Sequence, residues 1–161
     1  MLLYEGFIHQ AKRQPDKVCL SFEGQNVTYS ELHRRCNRLA NTLLALGLKK
    51  GEMVSVLLSN CVEYFEIIYG GAEAGLCLVP INYRLVADEV QYIVENSDST
   101  ALIFGPEYKP LVEELLPRLG KVRSYIAVGM DVPPWARSYE KLLAEAGEAD
   151  TDIASDAAND T

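Results

Sequence analysis

The longest apolar run of the chain, Ala74 to Ile81, constrains its fold more than any other stretch. Leu76 to Val79 are apolar at both parities, as a parallel strand covered on both faces requires, so the run reads as a central buried strand. Gly75 closes the helix before it, and Pro80, which has no N–H, stops the ladder. Asn82 and Arg84 follow at the carboxyl end of the strand, the edge where open α/β sheets bind ligands. They read either as ligand contacts or as anchors of the loop. With no partner motif beside it, Arg84 is taken as an anchor.

The segments on either side alternate in the same style. Leu2, Leu3, Phe7, Ile8 and Ala11 predict a short amphipathic helix ended by Pro15-Asp16. Val18 to Phe22 and Asn26 to Thr28 flank Gly24 as a hairpin. Thr28-Tyr29-Ser30-Glu31 is a capping box, and Leu32, Cys36, Leu39, Leu43 and Leu46 continue it as a long helix closed by Gly47. His33 and the Arg34, Arg35 and Arg38 set are read as solvated positions on that helix. Met53 to Leu58 is a strand, and Ser59-Asn60 is expected to cap a helix carrying Val62, Phe65, Ile68, Tyr69 and Ala72. On that helix Glu63, Glu66 and Glu73 have no metal-ligand partner at a useful spacing and read as solubilising charge. Beyond Arg84, a helix is predicted over Ala87 to Asn96, a strand over Ala101 to Phe104, a helix around Leu111 to Leu116, a strand over Val122 to Val128 and a short helix over Ser138 to Ala146. Trp135 falls in an irregular loop. A helix and hairpin followed by alternating strands and helices imply an α/β fold, a layered parallel sheet with flanking helices.

Charge and cysteines exclude several classes. The net charge is −8, of which residues 145–161 hold −6 without a single Lys or Arg. An acidic tail on a nearly neutral body argues against nucleic acid as a partner. The four cysteines, at 19, 36, 61 and 77, form no CxxC pair and read as reduced, buried thiols of a cytoplasmic protein without a metal site. No apolar run is long enough to cross a bilayer, and neither GxGxxG nor GxxxxGK[ST] occurs. A free-standing flavodoxin-like nucleotide binder is disfavoured because the turns after Leu58 and Phe104 lack the serines, threonines and glycines that cradle phosphate.

Four segments in order carry a more specific signal: Thr28-Tyr29-Ser30-Glu31-Leu32 with Asn37-Arg38-Leu39-Ala40, Gly47 to Val54, Leu57 to Glu63, and Ala74 to Arg84 followed by Tyr92-Ile93 and Ala101 to Ile103. Together they resemble the amino-terminal region of the AMP-forming adenylating enzymes, and Val79-Pro80-Ile81-Asn82-Tyr83-Arg84-Leu85 resembles the acyl-CoA synthetase branch. Val86-Ala87 departs from that pattern, where a Ser or Thr cap and a Pro are usual, a change that weakens the helix start by roughly 1 kcal/mol.

The resemblance implies that residues 1–146 are the amino-terminal part of an adenylation domain and 147–161 an acidic flexible linker toward a phosphate-binding loop of the type TSGTTGxPKG, absent from these 161 residues. It further implies a ligase of medium- or long-chain fatty acids. Such an enzyme uses ATP, Mg2+ and coenzyme A, yielding acyl-CoA, AMP and pyrophosphate, and the present chain alone is expected to be inactive and to bind no cofactor. An aromatic or short-chain acid substrate, or a non-catalytic dimerisation or scaffold module, is the alternative. No catalytic or metal-binding residue is assigned; Lys109, in Gly105-Pro106-Glu107-Tyr108-Lys109, is the candidate contact to coenzyme A, or else a solvated lysine at a helix start. Apolar surface left uncovered by missing parts would favour a homodimer or self-association.

Overall fold

The computed structural model describes residues 3–151. These residues form two compact units, one built from the described parts of Met1–Lys50, Asn60–Gly75 and Glu145–Thr161, the other from Gly51–Ser59 and Leu76–Ala144.

The first unit holds helix α1 (Leu3–Arg13), the hairpin β1 (Val18–Phe22) and β2 (Gln25–Thr28), and helices α2 (Tyr29–Ala45) and α3 (Val62–Glu73). Glu23 and Gly24 both have positive φ, 48° and 82°, which gives the two-residue hairpin turn whose twist matches the strands. Helix α2 starts where the capping box places it: the Glu31 N–H donates to Thr28 Oγ1 at 3.3 Å and the Thr28 N–H to Glu31 Oε2 at 2.8 Å. Phe7, Val27, Leu32, Cys36 and Val62 make the core, with Leu20 and Tyr69 packed against it. Phe7 stacks on Tyr69 at a ring distance of 4.3 Å. Gly70 lets α3 approach α2 closely, since a Cβ there would stand 2.8 Å from the Cys36 carbonyl oxygen. The expected cap of α3 by Ser59-Asn60 is not formed; Cys61 occupies the N-cap with extended backbone and no side-chain hydrogen bond.

The second unit is a five-stranded, wholly parallel sheet. Its strands are β3 (Met53–Leu57), β4 (Cys77–Pro80), β5 (Ala101–Phe104), β6 (Ser124–Ala127) and the two-residue β7 (Arg137–Ser138), in the order β4-β3-β5-β6-β7. Helices α4 (Ala87–Asn96) and α5 (Lys109–Leu115) follow β4 and β5, and α6 (Tyr139–Glu145) follows β7. Val90 and Val94 of α4 and Val112 and Leu115 of α5 pack with Leu57, Leu102, Phe104 and Ala127 on one sheet face. Residues of the other parity, Val54, Val56, Ile103 and Ile126, are buried as well, so β3, β5 and β6 are covered on both faces.

Two sequence readings are corrected here. The run Ala74 to Ile81 does not supply a central strand: β4 is the edge of this sheet, and Cys77 and Pro80 are exposed. Apolarity at both parities brings no full burial here, since Leu78 and Val79 are only half-buried, and it carries no information on lateral position, while a proline is tolerated best at an edge. The cysteines are free but not uniformly buried, for Cys36 is buried, Cys19 and Cys61 are half-buried and Cys77 is exposed. Trp135, in its predicted loop, stacks on Phe104 at 5.4 Å and stands edge-on to Tyr125 at 6.0 Å.

Candidate functional site

The chain runs from β3 outward to β4, then returns past β3 to β5, so the strand order reverses between β3 and β5. Crevices for ligands open at such a reversal, outside the carboxyl ends of the two strands. Here protein groups bond to one another along that edge. The Ser59 and Tyr108 hydroxyls are hydrogen-bonded at 2.6 Å, and the Glu107 carboxylate lies over Gly105, 2.7 Å from the position of a Cβ. Cationic groups nearby are engaged. Lys109, the first residue of α5, donates to Asp131 Oδ2 at 3.0 Å and ties the segment after β5 to the segment after β6. At the end of β4 the Arg84 N–H donates to Asn82 Oδ1 at 3.0 Å, and the Arg84 guanidinium lies 5.4 Å from the Tyr83 ring centre. Asn82 therefore anchors the loop through its side chain and Arg84 through its backbone, in agreement with the anchor reading.

Among the described residues no three His, Cys, Asp or Glu side chains are grouped to hold a metal.

Polar chemistry is concentrated instead on α2 and α3, where three sequence readings are corrected. Glu66 and Glu73, expected as solubilising charge, are 2% and 0% exposed. Glu66 takes a two-point ion pair from Arg35, which is therefore not simply solvated. His33, expected at the surface, is half-buried, edge-on to Phe7 and 3.5 Å from Asp150; burial holds its pKa below the usual range against the pull of Asp150. Helical spacing showed which face of α3 is apolar but not that two glutamates lie inside it; their only signal was a position between apolar neighbours.

Against this face run residues 147–151. Asn37 Nδ2, on a side chain 3% exposed, donates to the Glu148 carbonyl and to Asp150 Oδ1, both at 2.8 Å. Asn41 Nδ2 stands within hydrogen-bond distance of three carbonyls that share its two hydrogens, Asn37 of its own helix at 2.9 Å, Gly147 at 3.1 Å and Ala149 at 2.9 Å, and Arg38 pairs with Glu148 at 2.5 Å. The Thr151 N–H donates to Glu73 Oε1 at 3.0 Å and the Thr151 hydroxyl to the Glu73 carbonyl at 2.9 Å. Burial raises the Glu73 carboxyl above its ordinary range, opposed by the hydrogen bonds from Thr151 and Tyr4; the Tyr4 phenol is pushed up by burial and by Glu73. The acidic linker expected over 147–161 thus begins with five residues fixed on α2 and α3, and the rest of it lies outside the described residues.

An apolar recess of about 360 Å³ between the hairpin and the start of α3, lined by Phe22, Cys61, Tyr64 and Phe65, completes the first unit. Burial pushes the Cys61 thiol up to about 11, which leaves it un-ionised and a poor nucleophile. No described helix is long and apolar enough to cross a membrane.

Comparison with known proteins places these features. The family model described as AMP-binding enzyme matches residues 7–160. The fatty acid–[acyl-carrier-protein] ligase ScoC of Streptomyces coeruleorubidus is 35% identical over 129 residues, covering 80% of this chain and 24% of that protein. A 3-oxocholest-4-en-26-oate–CoA ligase of Rhodococcus rhodochrous is 34% identical over 142 residues, 85% of this chain and 26% of that protein. Among solved structures, a long-chain-fatty-acid CoA ligase of Rhodopseudomonas palustris CGA009 superposes with a TM-score of 0.84 at 30% identity, over 94% of this chain and 38% of the other. The N-terminal domain of FACL13 from Mycobacterium tuberculosis gives 0.83 at 29% identity, again over 94% and 38%. The chain spans about a quarter of the length of the curated relatives it matches. With a family match from residue 7 to 160 and a parallel sheet shared with acyl-CoA ligases, the chain belongs to the AMP-binding enzyme family.

Proposed function

We propose that this chain is the amino-terminal part of an AMP-forming acid–thiol ligase that activates medium- or long-chain fatty acids, consuming ATP with Mg2+ and transferring the acyl group to coenzyme A. The family match over residues 7–160 carries this reading, supported by curated relatives whose names specify fatty acids and a steroid acid. In that enzyme the present residues supply a scaffold. The bonds of Ser59 to Tyr108 and of Lys109 to Asp131 at the strand-order reversal support a reading in which the nucleotide is held elsewhere and the 161 residues alone are inactive. Lys109 remains the candidate for a phosphate of coenzyme A, on condition that it exchanges its partner Asp131.

A second acceptor is favoured by one observation: ScoC, the relative matched over 80% of this chain, is named for transfer to an acyl-carrier protein. The test is acid-dependent ATP–pyrophosphate exchange by the intact protein across short, medium, long and aromatic acids, followed by acyl transfer to coenzyme A or to carrier protein. Exchange restricted to fatty acids of medium or long chain supports the reading, whereas exchange with amino acids or with none of the acids overturns it. In parallel, calorimetry of the 161-residue chain with ATP and Mg2+ is expected to give no heat, and micromolar binding would contradict the scaffold role.

A further inference from the structure

We infer that Asn37 and Asn41 are positioning residues, which hold residues 147–151 in one register against α2 and thereby set where the polypeptide beyond Thr151 leaves the amino-terminal part of the protein. Three consecutive carbonyls, of Gly147, Glu148 and Ala149, each accept from one of these two carboxamides. The three carbonyls are recognised as main chain, while Asp150 Oδ1 on Asn37 and the Glu148 carboxylate on Arg38 add contacts specific to side chains. A slip by one residue would take Asp150 off Asn37 and the Thr151 hydroxyl off the Glu73 carbonyl, so the full set of bonds is made in one register only. The bonds from Thr151 to Glu73 on α3 close the far end.

Asparagine is a poor choice in the middle of a helix, costing about 0.6 kcal/mol relative to alanine. A buried carboxamide also needs hydrogen-bond partners to offset its lost water. Asn37, 3% exposed within α2, places both hydrogens of Nδ2 on residues 148 and 150, so the segment accounts for the donor half of the carboxamide, while the buried Oδ1 has no partner among the described residues. The consequence for activity rests on the ligase reading. The matched relatives are about four times as long as the stretch they share with this chain, and a segment that wanders would keep the nucleotide-binding arrangement only part of the time. Apparent affinity then falls by the fraction of time lost, while the rate of the bound complex does not.

The experiment uses the intact protein, as wild type and as the double variant Asn37→Ala, Asn41→Ala, whose alanines favour the helix and so preserve α2. Hydrogen exchange of the Thr151 amide is expected to quicken about tenfold or more in the variant, with the Leu39 and Leu43 amides of α2 unchanged. In ATP–pyrophosphate exchange the variant is expected to raise KM for ATP about fivefold with kcat nearly constant. A general loss of folded enzyme would instead lower kcat at constant KM. Unchanged Thr151 exchange overturns the clasp itself. Faster Thr151 exchange with an unaltered KM overturns its role in positioning. If the wild-type protein activates no acid, the ligase reading fails, and the Thr151 amide still decides whether the clasp exists.

Discussion

Arg35 and Glu66 meet in a two-point ion pair, Nε to Oε1 at 2.5 Å and Nη2 to Oε2 at 3.0 Å, that joins α2 to α3 with the carboxylate almost wholly withdrawn from water. Breaking a fully buried pair by deleting one partner costs about 3–5 kcal/mol. Arg35 keeps 32% of its side chain exposed, so part of its charge can be rehydrated. Glu66→Ala is therefore expected to lower unfolding stability by about 2 kcal/mol in chemical denaturation. A loss under about 0.5 kcal/mol would show that the pair behaves as a surface one.

Gly70 is a second constraint on the same pair of helices. An added Cβ would meet the Cys36 carbonyl oxygen at 2.8 Å and Leu39 Cβ at 3.2 Å, both fixed parts of α2. Gly70→Ala should destabilise by about 1–3 kcal/mol through overpacking, although alanine favours a helix by about 1 kcal/mol. Gly120→Ala, where a Cβ enters open space, serves as the control with no loss of thermal stability. Equal melting temperatures for the two variants would count against a tight crossing of α2 and α3.

Glu73 makes stability depend on pH with a definite sign. Burial raises its carboxyl above the ordinary value of 4.5, with Asp150 adding to the rise and Thr151 and Tyr4 opposing it. The folded state thus favours the protonated form. Its contribution is complete below 4.5 and is lost as pH rises through the raised folded pKa. Glu73→Gln mimics the neutral form, so its stability relative to wild type should grow over that window and then level off. Denaturation midpoints at several pH values check this, and a relative stability that falls with pH would reverse the assignment.

Val86 offers a stabilising change. It stands at the N-cap of α4, where Glu89 Oε2 accepts from its N–H at 3.0 Å but a valine side chain returns nothing to the first turn. Val86→Thr supplies the missing acceptor and should add about 1 kcal/mol. No gain in thermal stability would mean that the first turn of α4 is satisfied some other way.

Trp135 reports on the sheet. Stacked on Phe104, which is fully buried in β5, it is the single tryptophan of the chain. Phe104→Ala should cost about 3–5 kcal/mol and shift the tryptophan emission to the red as its ring loses cover. Unchanged emission would place Trp135 away from Phe104.

Local chemistry was legible where short spacings specify it. The Thr28 and Glu31 capping box, the turn at Gly24 and helix α4 over Ala87–Asn96 stand where the sequence puts them, because each depends on contacts within a few residues. The β7 strand escaped, since Arg137–Ser138 is only two residues long and is defined by its pairing to β6. Asn60 failed as a cap for α3 because one residue of shift passes the position to Cys61.

The alternating α/β pattern and the resemblance that led to the family both lie in the order of residue types along the chain, and the sequence by itself determined them. Only the tertiary structure decided that β4 lies at the sheet edge, that Glu66 and Glu73 are buried, and that Asn37 and Asn41 hold residues 147–151. The physical reason is sequence distance. Apolarity and periodicity are local and can be counted, whereas a carboxamide on α2 meets a carbonyl more than a hundred positions away only when the intervening chain has folded, and no spacing rule encodes that meeting.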